Sequence, residues 1–320
     1  MTRYSRQIAL PDVGAAGQAR LRAAHVLVAG AGGLGVPVVQ YLAGAGVGAI
    51  TLIDGDEVAE SNLHRQPLYR MRDIGRPKAA AAAAAIGALN PDVAMRPIVD
   101  WLTPANAPAL VAEVDVVVDC ADTFAASFTL SDTAFAAGKP LISASALGLS
   151  GYVGGFCATA PSLRAIFPDL PRSAATCASA GVLGPVVAMI GAMQAQMALA
   201  ILLNLARSPL GRMMVLDAAN WRVTDFRFDG APEPDSPAAF IAASQITPRD
   251  LVIDLREEAP APFRATALHI PPEGLADLAL PRDGTRIVLA CRTGLRAHHA
   301  CTALRTRWAG DIALLALPGA

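Results

Sequence analysis

The sequence has little net charge, few cysteines and no long uninterrupted apolar run. Its 320 residues carry 26 lysines and arginines against 27 aspartates and glutamates, so the formal net charge is -1. This balance provides no strong field for nucleic acid or for an anionic membrane, and we expect neither as a partner. The five cysteines are odd in number and widely scattered, which argues against a disulfide framework and favours a reducing cytoplasm.

We expect no targeting or membrane-spanning segment. The first six residues are polar and lack the apolar core of a signal peptide. The most apolar later segment, 182–205, is interrupted by glycine, proline, glutamine and asparagine. It therefore predicts a buried helix of a soluble protein rather than a membrane span. With 53% hydrophobic residues, the chain has ample material for one large or two smaller buried cores.

Residues 24–65 contain the pattern around which the rest of the sequence can be interpreted. The apolar run 25–29 leads into a glycine-rich turn, followed by a helical apolar pattern and a second apolar run that ends at Asp54. The glycines of the turn are Gly30, Gly32, Gly33 and Gly35. Such a unit is typical of a nucleotide site, because the turn and helix N-terminus favour phosphate and the carboxylate can hold ribose hydroxyls. The turn alone suits NAD, FAD or ATP.

A polar cluster follows the second predicted strand, where dinucleotide dehydrogenases normally continue directly into a helix. It consists of Asp56 and the run Ser61, Asn62, Leu63, His64, Arg65 and Gln66, in which Leu63 is the apolar member. Lys78 then opens a helix through the alanine run 79–85, a position unfavourable for a cation unless an anion binds there or the placement is chance. Near the N-terminus, Arg6 either belongs to a solvated arm or reaches a phosphate site in the same or a neighbouring subunit.

Another pair of polar residues follows the predicted strand 114–120. The unbroken apolar core of this strand indicates a buried parallel strand. Asp122 and Thr123 come directly after it, at the edge where open α/β sheets bind ligands. Asp122 could hold Mg²⁺ there, because hard cations prefer carboxylate oxygens. A predicted helix 124–137 and strand 140–146 complete a doubly wound pattern.

The pattern changes after residue 151. It predicts an antiparallel strand, an irregular segment that carries Cys177, the long apolar helix and a hairpin ending near residue 228. A stretch rich in proline and glycine then marks a boundary. We predict a nucleotide-binding domain over 1–230, a linker over 231–244 and a small α/β domain over 245–320.

The small domain contains a cysteine that opens a loop between a strand and a helix. The loop consists of Cys291, Arg292, Gly294 and Arg296 with their neighbours. A sulfur at this position is surrounded by backbone N–H groups, and together with the two arginines they stabilise an anionic sulfur species. The alternative is a buried structural cysteine.

Taken together, these segments resemble the ThiF/MoeB/HesA family of ubiquitin-activating-enzyme-like adenylyltransferases. The matching segments are RYSRQI (3–8), VLVAGAGGLG (26–35), LIDGD (52–56), SNLHRQ (61–66), IGRPK (74–78), DCADT (119–123) and TCASAGVLGP (176–185). The match covers residues 1 to about 228, in order and at the family's spacing. The remaining residues are similar to a shortened rhodanese domain through IDLR (253–256), HIP (269–271) and CRTGLR (291–296).

The resemblance implies a fold and a reaction. The fold is α/β: a Rossmann-like doubly wound sheet with an antiparallel extension, plus a small rhodanese-like domain. The reaction uses ATP and Mg²⁺ to transfer AMP to the C-terminal glycine carboxylate of a ubiquitin-like sulfur carrier. The carrier would be ThiS-like, for thiamine, or MoaD-like, for molybdopterin. The resemblance implies that Gly33 contacts the nucleotide and that Asp54 binds the ribose. It implies phosphate contacts for Asn62, Arg65 and Lys78, and Mg²⁺ binding for Asp122. Arg6 would contact the triphosphate of the neighbouring subunit in a homodimer.

Two cysteines also acquire roles through the resemblance. Cys177 matches a flexible-loop cysteine that in relatives attacks the acyl-adenylate or takes part in sulfur transfer. Cys291 matches the persulfide-carrying cysteine of rhodanese and would deliver sulfur to the activated carrier, with a cysteine desulfurase as one candidate donor. The implied catalytic set is Arg6, Arg65, Lys78, Asp122, Cys177 and Cys291.

The sequence departs from the family pattern at the zinc site of many relatives, which uses two CxxC pairs. Here the first pair's positions are Ser162 and Ala165, and the second pair falls in a stretch without cysteine. A Cys₄ site cannot be built, so we expect no zinc. His64 and Thr123 stand where the family usually has Gln and Asn, and both are tolerable polar replacements. The zinc-free pattern and the TCASAGVLGP segment slightly favour a ThiS-like carrier.

Two other functions remain open at this point. The glycine-rich turn alone would allow an NAD- or FAD-dependent oxidoreductase, although a dinucleotide does not need the phosphate-binding set around Arg65 and Lys78. A non-catalytic platform that recognises ubiquitin-like tails is the second alternative.

Overall fold

The computed structural model describes residues 3–170, 181–257, 259, 261–281 and 284–317. The α-helices are α1 Ser5–Ile8, α2 Gly14–Ala23, α3 Gly35–Gly44, α4 Lys78–Leu89, α5 Ala107–Ala112, α6 Phe124–Ala136, α7 Leu163–Ile166, α8 Gly184–Leu202 and α9 Leu295–Arg305. The strands are β1 His25–Ala29, β2 Ala49–Ile53, β3 Ala94–Ile98, β4 Val116–Asp119, β5 Pro140–Leu147, β6 Ser150–Cys157, β7 Arg212–Asp217, β8 Arg222–Arg227, β9 Leu251–Asp254, β10 Leu268–His269, β11 Ile287–Cys291 and β12 Ile312–Ala316.

The larger sheet has eight strands in the order β3-β2-β1-β4-β5-β6-β7-β8. Strands β1 to β5 are parallel, whereas β6, β7 and β8 extend the sheet by antiparallel pairing. The direction of chain progression reverses between β1 and β4. Such a switch point leaves a crevice at the carboxyl ends of the strands, where open α/β sheets bind ligands. The predicted doubly wound sheet with an antiparallel extension is confirmed.

The central strands are predominantly apolar because both faces of the sheet are covered. In β1, Val26 and Val28 join the apolar core on one face, while Leu27 and Ala29 join the core on the other. Helices α3, α4 and α8 cover the first face, and α5 and α6 cover the second. This alternation explains why the sequence shows continuous apolar runs instead of an alternating pattern.

Helix α8 is the segment whose apolarity raised the question of a membrane span. By length and composition it meets that criterion, and half of its most apolar window is buried inside the structure. It packs against α3, β5 and β6, and Val187 and Ile190 belong to the core. The helix therefore has the packing of a core helix, as its interrupting polar residues predicted.

The smaller sheet is parallel, with strand order β10-β9-β11-β12. Helix α9 connects β11 to β12 and packs on both. The preceding segment is attached to this sheet, because the N–H of Ile241 donates to the carbonyl of Leu314 at 2.8 Å and the N–H of Leu314 donates to the carbonyl of Ala239 at 2.9 Å. The proposed linker over 231–244 thus contributes pairing to the smaller sheet.

Candidate functional site

The crevice is formed where three neighbouring strands end at the same level. Ala29 pairs with Ile53 on one side and with Asp119 on the other. The residues that follow these three are therefore neighbours in space: the glycine-rich turn after β1, Asp54 after β2 and the segment 120–123 after β4. This arrangement brings together three of the predicted groups.

The glycine-rich turn is held tightly against β4. Gly30 has a φ of +102°, and a Cβ there would lie 2.5 Å from the carbonyl oxygen of Cys120. A Cβ on Gly35 would overlap the carbonyl oxygen of Gly30. Both positions therefore need glycine for backbone reasons, whatever ligand binds.

The other two glycines of the turn face the crevice and its walls. A Cβ on Gly33 would meet Val187 of α8 at 2.7 Å and the Cγ of Arg65 at 3.6 Å. At Gly32 the nearest atom within 4 Å is Nε2 of Gln66, at 3.7 Å, so this position has room beside it. The turn, the segment that carries Arg65 and the start of α8 consequently meet around one space.

Asp54 ties the turn to the second strand. Its Oδ2 accepts the N–H of Ala31 at 2.7 Å and its Oδ1 accepts the N–H of Asp56 at 2.8 Å. Burial raises the pKa of Asp54, whereas these hydrogen bonds and the charge of Lys78 act in the opposite direction. The carboxylate is thus fixed at the edge of the turn, in a position where it can also face a ribose.

Lys78 is buried, with 6% of its surface exposed, at the first residue of α4. Its Nζ lies 2.9 Å from Oδ2 of Asp56. The sequence left open whether an anion binds beside this cation or its placement is chance, and in the structure a carboxylate of the same chain lies there. Tyr69 connects the two parts of the site, since its hydroxyl donates to the carbonyl of Ala31 at 2.8 Å.

The segment 61–66 forms one wall of the crevice. The Nη1 of Arg65 donates to the carbonyl of Ser61 at 3.1 Å and lies 3.0 Å from Nε2 of His64. The side chain of Asn62 accepts the N–H of Ala59 at 3.3 Å, while Leu63 packs against the core. Arg65 is half-buried at the wall, so its guanidinium is placed by local contacts.

Asp122 and Thr123 lie at the start of α6. Thr123 is the N-cap of this helix, and its hydroxyl accepts the N–H of Ala126 at 3.4 Å. Asp122 is exposed at the crevice edge. Below them, Asp119 is fully buried and accepts hydrogen bonds from the hydroxyl of Ser143 at 2.7 Å and from the N–H of Ala121 at 3.1 Å.

Among the described residues, no group of three or more histidine, cysteine or acidic side chains could by itself hold a metal ion. The single carboxylate of Asp122 nevertheless fits a metal that arrives with a triphosphate, since Mg²⁺ is commonly held by one or two carboxylates plus substrate phosphates.

Arg6 lies far from this crevice within its own chain. Helix α1 is anchored at the opposite ends of α3 and α4: the hydroxyl of Tyr4 accepts from Nδ2 of Asn90 at 2.7 Å, and Nε2 of Gln7 donates to the carbonyl of Ala45 at 3.0 Å. The structure therefore does not bring Arg6 together with the other predicted site residues of the same chain.

The predicted persulfide loop lies at the end of β11. Cys291 is buried, and its Sγ accepts N–H groups from Gly294 at 3.2 Å and from Ala297 at 3.4 Å. Arg296 donates to the carbonyl of Leu255 at 3.4 Å, and Arg292 is exposed. Cys177, the other predicted reactive cysteine, lies outside the described residues.

The four cysteines within the described part of the chain are free thiols. Cys120 and Cys157 are buried, and burial raises the pKa of both thiols, to about 12 for Cys157. These two thiols are therefore protonated and unreactive at neutral pH.

Sequence reasoning placed Gln66 in the polar cluster but gave it no role in the site. Its side chain is 2% exposed, lies beside Gly32, and its Oε1 has no hydrogen-bond partner within the described part of the chain. A buried acceptor without a partner is unfavourable unless a ligand or water satisfies it. Its position at the end of the SNLHRQ segment was the available signal.

The chain is similar to known proteins over most of its length. The profile of the ThiF family matches residues 4–238. A relative in Aspergillus fumigatus, named adenylyltransferase and sulfurtransferase uba4, is 44% identical over 218 residues, which cover 65% of this chain and 44% of the relative. A relative in Mycobacterium tuberculosis, named probable adenylyltransferase/sulfurtransferase MoeZ, is 34% identical over 352 aligned positions, covering 95% of this chain and 88% of the relative. The chain spans less than half the length of the fungal relative.

Solved structures show the same fold. The crystal structure of E. coli MccB with ATP has a TM-score of 0.62 and 21% identity, and the match covers 72% of each chain. The structure of PaaA has a TM-score of 0.60 and 24% identity, covering 71% of this chain and 72% of the other.

Proposed function

The chain belongs to the ThiF family, and from this membership we propose that it adenylates the C-terminal glycine of a ubiquitin-like sulfur carrier at the expense of ATP. The observation that carries the proposal is the convergence of Lys78, Arg65 and the glycine-rich turn on one crevice. A redox dinucleotide would not need two cations at this edge. The names of the uba4 and MoeZ relatives support the same reaction.

The residues of the crevice suit the two halves of ATP. The turn leaves room beside Gly32, and Asp54 stands where it can accept ribose hydroxyls. Arg65 and Lys78 supply positive charge for the phosphates, and Lys78 can exchange its contact with Asp56 for a phosphate oxygen. Asp122 and the triphosphate would hold Mg²⁺, which would supply further neutralisation of charge.

The chemistry requires positioning more than acid–base catalysis. The carrier's terminal carboxylate is already ionised, so one of its oxygens can attack the α-phosphorus directly while pyrophosphate leaves with the electron pair of the broken P–O bond. Arg65 and Lys78 stabilise the charge that develops on the phosphates. No general base is needed.

We also propose a sulfur-transfer role for the loop of Cys291. Its Sγ accepts two backbone N–H groups, which is a suitable environment for an anionic sulfur. A persulfide formed on Cys291 would be the nucleophile toward the activated carrier. The sulfurtransferase names of the relatives support this second activity, and a cysteine desulfurase remains a candidate sulfur donor.

The setting that we infer is a homodimeric, soluble, cytoplasmic enzyme that works in thiamine or molybdopterin biosynthesis. The domain division at 1–230, 231–244 and 245–320 is retained as part of this proposal. The expectation that no zinc is bound is also retained, because Ser162 and Ala165 provide no thiolate.

Carrier-stimulated exchange of pyrophosphate into ATP tests the proposal directly. We expect exchange with a ThiS-like or MoaD-like carrier and a loss of at least about 100-fold in Asp122→Ala, as is typical when a group that binds the reacting phosphates is removed. The matched control is Asp92→Ala, which removes an exposed carboxylate at the opposite edge of the sheet.

Two outcomes would contradict the proposal. Absence of exchange in the unmodified protein with either carrier would favour the non-catalytic platform. Thermal stabilisation by NAD but not by ATP would favour an oxidoreductase.

A further inference from the structure

The loop of Cys291 packs directly on the larger domain. A Cβ on Gly294 would lie 2.6 Å from Cε1 of Phe240 and 3.0 Å from Cβ of Ala125. Gly294 is buried and has a φ of +87°, at the N-cap of α9. The loop is therefore enclosed between an aromatic ring from the preceding segment and the first turn of α6.

Phe240 is held firmly in this position. Its backbone pairs with Leu314 at the edge of the smaller sheet, through the bonds of Ala239 and Ile241. Its side chain is 7% exposed and belongs to an apolar cluster that includes Ala125 and Phe128 of α6 as well as Leu295 of α9. The ring thus connects the two domains at the point where the sulfur loop contacts α6.

The first turn of α6 is also part of the proposed ATP site. Thr123 caps this helix and Asp122 immediately precedes the cap, so Ala125 is three residues from the proposed Mg²⁺ ligand. A path from Sγ of Cys291 to Cα of Asp122 runs through Gly294 and Ala125. Adding the two contacts, standard bond lengths and 3.8 Å per residue along this path gives an upper limit of roughly 22 Å for the distance. Both centres of one chain are therefore attached to the same helical turn.

We propose that Phe240 is a positioning residue that holds the loop of Cys291 on the first turn of α6, so that the activated carrier receives sulfur within the chain that adenylated it. This inference rests on the proposed adenylation and sulfur-transfer functions. The carrier's extended tail can then move from one centre to the other without release of the acyl-adenylate to water.

The transfer step is a substitution at the carrier's acyl carbon. The terminal sulfur of the Cys291 persulfide, Cys–S–S⁻, forms a bond to that carbon, and the bond from carbon to the phosphate oxygen breaks as AMP leaves with the electron pair. The product is an acyl disulfide between the carrier and Cys291. Attack by an added thiol on the inner sulfur releases the carrier thiocarboxylate and leaves Cys291 in a mixed disulfide with that thiol.

The test compares Phe240→Ala with the unmodified full chain, using thiosulfate as sulfur donor, a ThiS-like or MoaD-like carrier and dithiothreitol as thiol. Three rates are measured: pyrophosphate exchange, sulfur transfer from thiosulfate to cyanide, and thiocarboxylate formation by mass spectrometry. We expect the first two rates to stay within about twofold, because each depends on one centre alone and Phe240 contacts the loop of Cys291 at Gly294 without supplying a reacting group. The third rate should fall at least about tenfold. Phe240→Leu, which keeps an apolar side chain at the joint, should recover most of the third rate.

Loss of all three rates in parallel, or an unchanged third rate, would overturn the positioning role. A merely structural role would lower the three rates together. If the unmodified protein shows no exchange, the proposed adenylation fails and the inference fails with it. Exchange without sulfur transfer to cyanide would instead overturn the sulfur-transfer role of Cys291 and leave adenylation standing.

A mixture of inactive chains tests whether transfer occurs within one chain. Asp122→Ala and Cys291→Ala are co-expressed, so that mixed dimers contain one intact centre of each kind on different chains. We expect no thiocarboxylate above the level of the separate variants. If transfer occurred between chains, each mixed dimer would contain one working pair of centres instead of two. Because half of the dimers are mixed, the rate would recover to about a quarter of the unmodified rate, and this result would overturn the inference.

Discussion

At the scale of single residues, the floor of the crevice holds a carboxylate whose described partners are hydroxyls and a backbone N–H. Asp119 is fully buried, with Ser143, Ser127 and the N–H of Ala121 as hydrogen-bond donors. Burial raises its pKa to about 6, with a smaller contribution of the same sign from Asp122. Tyr152 and Cys120 also interact with this carboxylate, and burial raises the pKa of both side chains.

The sign of the resulting pH effect follows from proton binding. Between the ordinary pKa of 3.8 and the folded-state value of about 6, the folded chain binds more protons at Asp119 than the unfolded chain does. The contribution of Asp119 to the free energy of unfolding therefore decreases as pH rises through this window, by on the order of 3 kcal/mol in total, and is constant above it.

We predict that Asp119→Asn removes this component. The free energy of unfolding is measured by urea titration of the variant and the parent at pH values from 4 to 7. As pH rises to about 6, the stability of the variant relative to the parent should increase, because burial penalises the ionised carboxylate but not the neutral amide. Ser127→Ala is a control that removes one donor but keeps the carboxyl group. A difference that does not change with pH would contradict the assignment.

At the scale of elements, the strands and helices were the part of the structure that the sequence predicted best. Continuous apolar runs such as Val116–Val118 mark strands buried on both faces, and Pro77 before Lys78 marks a helix start. The glycine-rich turn and the acidic residues at the ends of strands predicted where the crevice lies, because parallel strands end at a common edge.

Contacts between distant segments could not be predicted in the same way. Asp56 lies 22 residues before Lys78, and nothing in the local pattern identifies it as the lysine's partner. The packing of Gly294 on Ala125 joins residues associated with the two different sheets and depends on how whole elements dock. Gln66 stood in a recognised segment, but its burial beside Gly32 of the turn depends on how that segment packs on a turn more than 30 residues away in sequence.

One such contact joins the start of α7 to the segment before the smaller sheet. Both carboxylate oxygens of Glu233 accept hydrogen bonds from Ser162, at 2.6 Å from its backbone N and 2.6 Å from its Oγ. By the resemblance described in the sequence analysis, these are the two segments that carry zinc ligands in many members of the family. Here a carboxylate and a buried serine connect them directly.

We predict that Glu233→Ala destabilises the protein by about 1–2 kcal/mol, because two charge-assisted hydrogen bonds are lost and a buried serine is left with fewer partners. This corresponds to a lowering of Tm by roughly 2–6 °C for a chain of this size. Asp235→Ala, which removes another exposed carboxylate of the same segment, serves as the control. Equal melting temperatures for the two variants would contradict the proposed connection.

At the scale of the whole molecule, the position of Arg6 separates it from the proposed ATP site of its own chain. The site lies at the N-termini of α3 and α4, whereas α1 is anchored to residues at their C-termini, Ala45 and Asn90. The two helices have 10 and 12 residues, which correspond to lengths of about 15 and 18 Å. If Arg6 contacts a triphosphate, that triphosphate belongs to another subunit.

This arrangement predicts complementation between two inactive variants. Arg6→Ala and Asp122→Ala should each lose pyrophosphate exchange, whereas co-expressed chains should recover about a quarter of the parent rate, because half of the dimers would contain one site with its own Asp122 and an intact Arg6 from the partner. Arg22→Ala, an exposed arginine on α2, should retain full exchange and show that the loss is specific to Arg6. Absence of recovery in verified mixed dimers would mean that Arg6 does not serve the neighbouring site. A fully active Arg6→Ala would assign it to the solvated arm that the sequence also allowed.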